Sequence, residues 1–247
     1  HWYNWHQIPF DNDYPHYFPT KEGFAEGVAE LQAAGVRVVP YINGRLWDTD
    51  TADFATDGIR WCTKNREGQP YIEEYGSKQK LAPMCPTQEP WREILYRLVL
   101  RLVGEVGVDG VYMDQIAAAR AVLCYDAAHG HPLAGGHWWV DGYWELLGRL
   151  QSALADISPE KMLTTESNAE PYAKWFDTYL MCNSMGDGLV PIFPAVYGGK
   201  MLMFGRYMSA ADFADPNALA QKQGQLFVWG AQLWWSQPQV INHPAAP

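Results

Sequence analysis

The chain has 247 residues with 18 basic and 28 acidic side chains, a formal net charge of −10, and that field disfavours a nucleic-acid partner. No stretch approaches the ~20 uninterrupted apolar residues of a membrane-spanning helix, and 48% hydrophobic content argues against a disordered chain. Neutral partners such as sugars remain compatible, and an aromatic share of 14% with 12 Trp suits either core packing or flat platforms for sugar rings.

The chain opens at His1 in the aromatic run HWYNWH, read as a strand at 1–6. It carries no charged n-region and no signal-peptide core, so localisation is not readable from it. Residues 20–34 predict the first helix, with Thr20 and Glu22 at its start and Phe24, Val28 and Leu31 along one face. VRVVPYIN (36–43) has the β-branched content of a strand. Residues 44–88 then mix Gly, Pro, aromatic and charged residues irregularly, and so long an excursion inside a compact domain is usually functional. Helix–strand units return at 89–114, where a long amphipathic stretch precedes DGVYMD, and at 138–166, where a second precedes KMLTTES. The short segment 169–175 pairs with DTYLMC (177–182), and KMLMFG (200–205), a helix near 216–224 and QLFVWGAQLWW (225–235) follow.

Strands are expected near 1–6, 37–42, 110–114, 162–166, 178–182, 190–193, 200–204 and 226–230. Eight strands alternating with helices predict one α/β domain over 1–247, a (β/α)8 TIM barrel with an excursion at 44–88. No GxGxxG supports the rival doubly wound sheet. Without the weak strand at 190–193 the barrel has seven strands, its first lost with an N-terminal segment. An open barrel edge must be covered, either by the aromatic N terminus or by a second copy in a homo-oligomer. Cys62, Cys85, Cys124 and Cys182 lack CxxC spacing, which argues against structural zinc. They read as buried thiols, with Cys62 and Cys85 the one pair placed for a bridge. No cofactor is expected.

Catalytic side chains of a (β/α) barrel project from the C-terminal ends of its strands. Those ends offer Asn4, His6, Asp11 and Asp13, then Tyr41, Asn43, Arg45, Trp47 and Asp48. Tyr112, Asp114 and Gln115 follow, then Glu166, Ser167, Asn168 and Glu170, then Asn183 and Asp187, and finally Trp229, Gln232 and Trp234. Asp114 and Glu166 stand apart because each ends an apolar or neutral strand, where a carboxylate is costly without a partner or a task. A salt bridge or a helix cap is the plain alternative for either alone. Together, on consecutive strands, they match the two carboxyl groups that glycoside hydrolysis needs, with an oligo- or polysaccharide as partner. Neighbouring strands lie ~4.8 Å apart, close to the ~5 Å gap of retaining enzymes. The roles expected are then attack on the anomeric carbon by Asp114 and proton transfer by Glu166.

Trp2, Tyr41, Trp47, Tyr112, Trp229 and Trp234 are candidates for sugar stacking, although a single Trp is more often core. Asp11 and Asp13 suit sugar hydroxyls and loop capping equally. His129 and His131 form HGH in a polar loop and read as surface residues. His6, Asp11, Asp13 and His16 are too irregularly spaced to favour a metal. No GxSxG supports a serine triad.

The stretches FAEGVAELQAAGVRVVPYIN, GVDGVYMDQ and LTTES resemble retaining TIM-barrel glycosidases of the α-amylase and endo-α-N-acetylgalactosaminidase type. The opening WYNWHQIPFDNDYPHYFP is similar to a family of predicted, largely uncharacterised barrel glycosidases. By position this resemblance implies Asp114 as nucleophile and Glu166 as acid/base. The transition-state Asp of the amylases has only Asp187 as a counterpart, in an ill-matched MGDG setting. Asn43-Gly44 stands where the amylases have Asn-His, and both departures argue against an α-glucan substrate. A likeness to α-galactosidase-like barrels implies a different acid, Asp187, with Glu166 binding sugar. Two rivals of other classes are a metal-dependent barrel hydrolase, for which only His6 stands at a strand end, and a barrel remnant that binds carbohydrate without cutting it.

Overall fold

The computed structural model describes residues 1–181, 188, 190–205, 207–232, 235, 236 and 240. The first helix, α1 (Phe24–Ala33), starts four residues later than the sequence suggests. Gly23 sits at its N-terminus with φ 77°, and Thr20 instead bridges His6. Phe24 and Val28 face the core. The chain continues into β1 (Tyr41–Asn43), and β2 (Leu46–Asp48) pairs antiparallel with β3 (Leu81–Pro83). Between them lie a wide turn of helix at Phe54–Gly58 and the short α2 (Ile59–Trp61). The excursion is therefore a framed hairpin rather than a loose loop.

Helix α3 (Glu89–Arg101) has Pro90 in its first turn and widens before Gly107, at φ 83°, ends it. It feeds β4 (Gly110–Asp114), every residue of which is buried. The twenty-residue α4 (Trp138–Ile157) feeds β5 (Met162–Glu166), and β6 (Thr178–Leu180) follows. Then come α5 (Ile192–Tyr197), β7 (Leu202–Phe204), β8 (Tyr207–Met208), α6 (Ala210–Ala214), α7 (Pro216–Val228) and β9 (Trp235–Ser236).

Five strands form a parallel sheet in the order β1-β4-β5-β6-β7. Single parallel bridges extend it at both flanks, Trp2 to Pro40 beside β1 and Gln232 to Phe204 beside β7. The fold is thus mixed α/β with a parallel sheet, and the described residues do not close a barrel. Carboxylates just before two strands hold the ladder in register. Asp109 accepts from the Val38 N–H at 2.7 Å and Asp177 from the Leu163 N–H at 2.9 Å. One face of the sheet buries Val111, Met113, Leu163, Tyr179 and Met203, and α3 and α4 add Leu95, Val99, Leu146, Leu147 and Leu150 to the same core. The opposite face carries Tyr41, Asn43, Tyr112, Asp114, Thr164 and Glu166, set side by side by the register.

Three expected strands are corrected. The opening run 1–6 contributes a single bridge to the sheet, at Trp2, because Trp5 and His6 turn into an aromatic cluster and His6 bridges Thr20 instead. Residues 190–193 run into α5. Residues 226–230 begin as the last turn of α7, whose start is fixed by the Asp215 cap and Pro216. Its helical period explains why Leu226 is fully buried while Phe227 and Val228 are 82% and 80% exposed, a contrast a buried strand could not produce. No disulfide joins Cys62 and Cys85, which are free, as is Cys124; Cys182 lies outside the described residues.

Candidate active site

Asp114 and Glu166 end adjacent parallel strands. Met113 pairs with Thr165, so the next residues along, the two acids, stand side by side. Their carboxyl groups are close enough to share a hydrogen bond. Each has its own phenol. The Tyr41 hydroxyl donates to Asp114 Oδ2 at 2.8 Å, and the Tyr112 hydroxyl donates to Glu166 Oε2 at 2.9 Å. The Gln115 N–H adds a 2.6 Å bond to Asp114 Oδ1. Asp114 is buried, whereas Glu166 is partly open to solvent.

Burial first, and the negative charge of Glu166 second, hold the Asp114 carboxyl well above the usual carboxylate range. The bonds from Tyr41 and Gln115 act in the opposite direction without reversing it. Asp114 therefore holds its proton to higher pH than an ordinary carboxyl does. The residue directly after each acid has left-handed backbone, Gln115 at φ 68° and Ser167 at φ 63°. Such geometry is costly for residues other than glycine and concentrates at functional sites.

An aromatic wall surrounds the pair. Tyr3 stacks on Tyr41 with centroids 4.9 Å apart, Phe10 lies 5.1 Å from the Tyr41 ring, and the His1 ring lies 4.7 Å from Tyr112. Tyr3 and Phe10 escaped the sequence reading, since only the fold carries the opening loop across β1. Gly44 is hemmed by the Ile116 side chain at 2.8 Å from any added Cβ, so the turn after β1 packs directly on the segment after Asp114.

The other residues expected at the strand ends divide. Asn43 is buried and folds its own turn, its Oδ1 accepting from the N–H groups of Arg45 and Leu46, both at 2.9 Å. Arg45, 2% exposed, grips both oxygens of Glu73 at 2.7 Å and reaches Gln115 Oε1 at 3.1 Å. Glu73 in turn accepts from the Tyr75 hydroxyl at 2.7 Å. Trp47 is buried against Trp61 and Trp91, with its N–H on Thr51 Oγ1, and presents no open face. Trp2 meets Phe24 edge-on and packs over Gly27 of α1. Asn4 is exposed, Asn168 half-buried, and Trp229 buried just after α7. Asp11 accepts from Ser77 Oγ at 2.7 Å, and the Asp13 N–H donates to Asp48 Oδ2 at 2.8 Å, which staples the opening loop to the excursion. His6 Nδ1 bonds Ile8 O at 2.7 Å while His16 pairs with Asp53, so these residues do not gather as metal ligands. Among the described residues one group could hold a metal: Cys85, Cys124, His129 and His131. Asn183, Asp187 and Trp234 lie outside the described residues.

The fold, an α/β chain around a parallel sheet, is similar to that of solved glycosidases of barrel type. The alpha-N-acetylgalactosaminidase of Bifidobacterium bifidum, as a quadruple mutant, superposes with a TM-score of 0.72 at 12% identity, over 98% of this chain and 40% of that one. The alpha-galactosidase of Thermus thermophilus gives 0.62 over 98% of this chain and 53% of that one, at 13% identity. The chain belongs to the family described as Domain of unknown function (DUF6259), whose model matches residues 1–208. A curated relative from Bacteroides thetaiotaomicron, named "Putative glycoside hydrolase", is 37% identical over 250 residues, covering 100% of this chain. Another from Monosiga brevicollis, "Putative glycoside hydrolase 22789", is 35% identical over 272 residues, covering 99%. The chain spans 37% and 22% of the lengths of these two relatives.

Proposed function

We propose that this chain carries the catalytic carboxylates of a glycoside hydrolase acting on an oligo- or polysaccharide with retention of configuration. The observation that carries the reading is the pair itself: two acids abreast on adjacent parallel strands, each with its own tyrosine donor. Strands ~4.8 Å apart put carboxyls at equal register nearer the ~5–5.5 Å of retaining enzymes than the wider inverting gap, which must admit a water. Asp114 is the nucleophile. Its two donors stabilise the ionised form, and its place against the buried wall suits attack at an enclosed anomeric carbon. Glu166 faces solvent and is the acid, then the base for incoming water. The chemistry needs one carboxyl ionised for attack and the other protonated for the leaving oxygen. Tyr3 and Phe10, which keep exposed area, supply the aromatic surface for the ring, whereas Tyr41 and Tyr112 are buried behind them and act through their hydroxyls.

The burial of Asp114 and the neighbouring charge of Glu166, which raise its proton affinity, favour the reverse roles. The test therefore separates the two. The protein is assayed on aryl α- and β-glycosides of galactose, N-acetylgalactosamine and glucose and on polysaccharides, then treated with the matching fluorosugar inactivator and mapped by peptide mass. Turnover with the label on Asp114 supports the proposal, and a label on Glu166 reverses the roles. Turnover unchanged in Asp114→Asn sinks the assignment. Sugar binding without turnover on any substrate supports a carbohydrate-binding barrel instead.

A further inference from the structure

Away from the acids, the excursion and the loop between β4 and α4 meet at four potential ligands. Cys85 lies just beyond β3, where its N–H donates to Trp61 O at 2.9 Å. Cys124, His129 and His131 come from the β4–α4 loop, which is pinched shut by paired hydrogen bonds between Cys124 and Ala134 of 3.0 and 2.7 Å. The two thiol sulfurs and one nitrogen of each imidazole all lie within 4.8 Å of one another. Three of the four residues are buried, the fourth partly so.

The hydrogen bonds of the two histidines show which nitrogen is free to bind. His129 Nε2 faces the Arg60 carbonyl at 2.9 Å, and His131 Nδ1 faces the Pro132 carbonyl at 2.8 Å. A carbonyl oxygen only accepts, so each of those nitrogens carries the hydrogen and the other holds a lone pair. That leaves His129 Nδ1, 3.4 Å from Cys124 Sγ, and His131 Nε2, which is fully enclosed and has no hydrogen-bond partner. An orphaned acceptor in the interior is costly, and here it sits in the cluster. A metal-binding histidine is ordinarily fixed in this way, with its other ring nitrogen donating to a carbonyl. The His131 ring is further clamped flat on Trp138, with centroids 3.8 Å apart and planes 8° from parallel.

We propose that Cys85, Cys124, His129 and His131 form a structural zinc site. Two thiolates and two neutral imidazoles are a zinc donor set, and with a divalent ion the centre is electrically neutral, as its burial demands. Binding releases the two thiol protons to solvent and changes no oxidation state. Zinc takes sulfur at about 2.3 Å and nitrogen at about 2.0 Å, so tetrahedral edges measure roughly 3.3–3.8 Å and the four atoms need move only about an ångström to close. All four protein positions are filled, so the ion is structural rather than catalytic. It would tie the excursion to the loop that begins at Gln115, beside Asp114. Spacing hides the site in sequence, because Cys85 stands far upstream and the rest reads C-x4-H-x-H.

The test is metal content and cobalt substitution on the intact protein, purified without chelator. Wild type should carry one more equivalent of zinc per chain than Cys124→Ser or His131→Ala. Cobalt should give visible bands of a tetrahedral ion with sulfur-to-cobalt charge transfer in the near ultraviolet, displaced by zinc. Wild type that shows no such charge transfer overturns the proposal even if the variants fail to fold. So does a Cys85–Cys124 disulfide found by mass spectrometry in the freshly purified protein, or zinc content unchanged in both variants.

Discussion

Asp114→Asn should make the protein more stable at neutral pH. The wild-type carboxyl is held well above its ordinary range by burial and by the neighbouring charge of Glu166, so the folded state gives up this proton at higher pH than the unfolded chain does. A carboxyl raised in the folded state contributes stability that is complete below the unfolded value, about 3.9, and is lost as pH rises through the folded value. Asparagine removes that loss. Its amide fits the surroundings, because Oδ1 can still accept from the Gln115 N–H while Nδ2 donates to the Tyr41 oxygen or to Glu166. Each unit of upward shift corresponds to about 1.36 kcal/mol. After allowance for the altered bond to Tyr41, the net gain should be about 1–3 kcal/mol, roughly 3–10 °C for a domain of this size. Thermal melts of wild type and variant from about pH 4 to pH 7.5 read it directly. The curves should converge at the acid end and separate as pH rises. A variant that melts at or below wild type at neutral pH, or a gap independent of pH, would refute the view that Asp114 holds its proton to higher pH in the folded state.

Tyr41→Phe removes the phenol that favours ionised Asp114, so the acid limb of the kcat/KM profile should move to higher pH, with a loss of about 10- to 100-fold near neutrality. A uniform drop without a shift would instead mean that Tyr41 only shapes the wall. Burial alone would raise Glu73, but the two bonds and the charge of Arg45 depress it, so the stability it contributes is present above about pH 4.3 and is lost below, as pH falls through its folded value. Arg45→Met, which strands Glu73 and Gln115, should cost about 3–5 kcal/mol in urea unfolding, and adding Glu73→Leu should recover part of it. Gly110→Ala places a methyl group 2.3 Å from the Met162 carbonyl oxygen, so β4 and β5 must part. Soluble yield should fall steeply and activity with it, and a normally folded, fully active variant would show that the register of the two acids is not critical.

The acids were legible because their signal is local. GVYMD and MLTTE each end a buried strand in a carboxylate, and parallel strands of equal register must then set the acids abreast. Tyr41 and Tyr112 were legible as strand-end residues for the same reason, but not the bonds of their hydroxyls to the acids. The strand at 226–230 was misread because LFVW is apolar throughout, and only the Asp215 cap and Pro216 upstream reveal a helix running through it. Glu73 could not be found, because its partner Arg45 lies on the far side of the hairpin. The cysteine–histidine cluster was hidden likewise, since closing it depends on where β3 delivers Cys85. Short-range pattern reports strands and their ends. It does not report which loops meet.

Those loop meetings share one consequence. The excursion is tied to the segment after Asp114 at separate points: Arg45 to Gln115 at 3.1 Å, Lys64 to Asp126 at 2.6 Å, and Cys85 beside Cys124. It is tied to the opening loop by Asp48 and Gln79, which bond Asp13 and Asn12 at 2.8 Å. A segment free to serve as a lid would have few such ties, since segments that open in function come from the least stabilised parts of a fold. The excursion is instead a fixed wall. The raised proton affinity of Asp114 needs such a wall, because a carboxyl that loosening loops exposed to water would relax toward its ordinary range. Loosening the wall should therefore be visible at the acid. In Arg45→Met the pH-dependent gap between the Asp and Asn forms at position 114 should shrink, although Arg45 has no bond to Asp114. An undiminished gap would mean that the sheet alone keeps Asp114 dry and that the excursion serves only the rim.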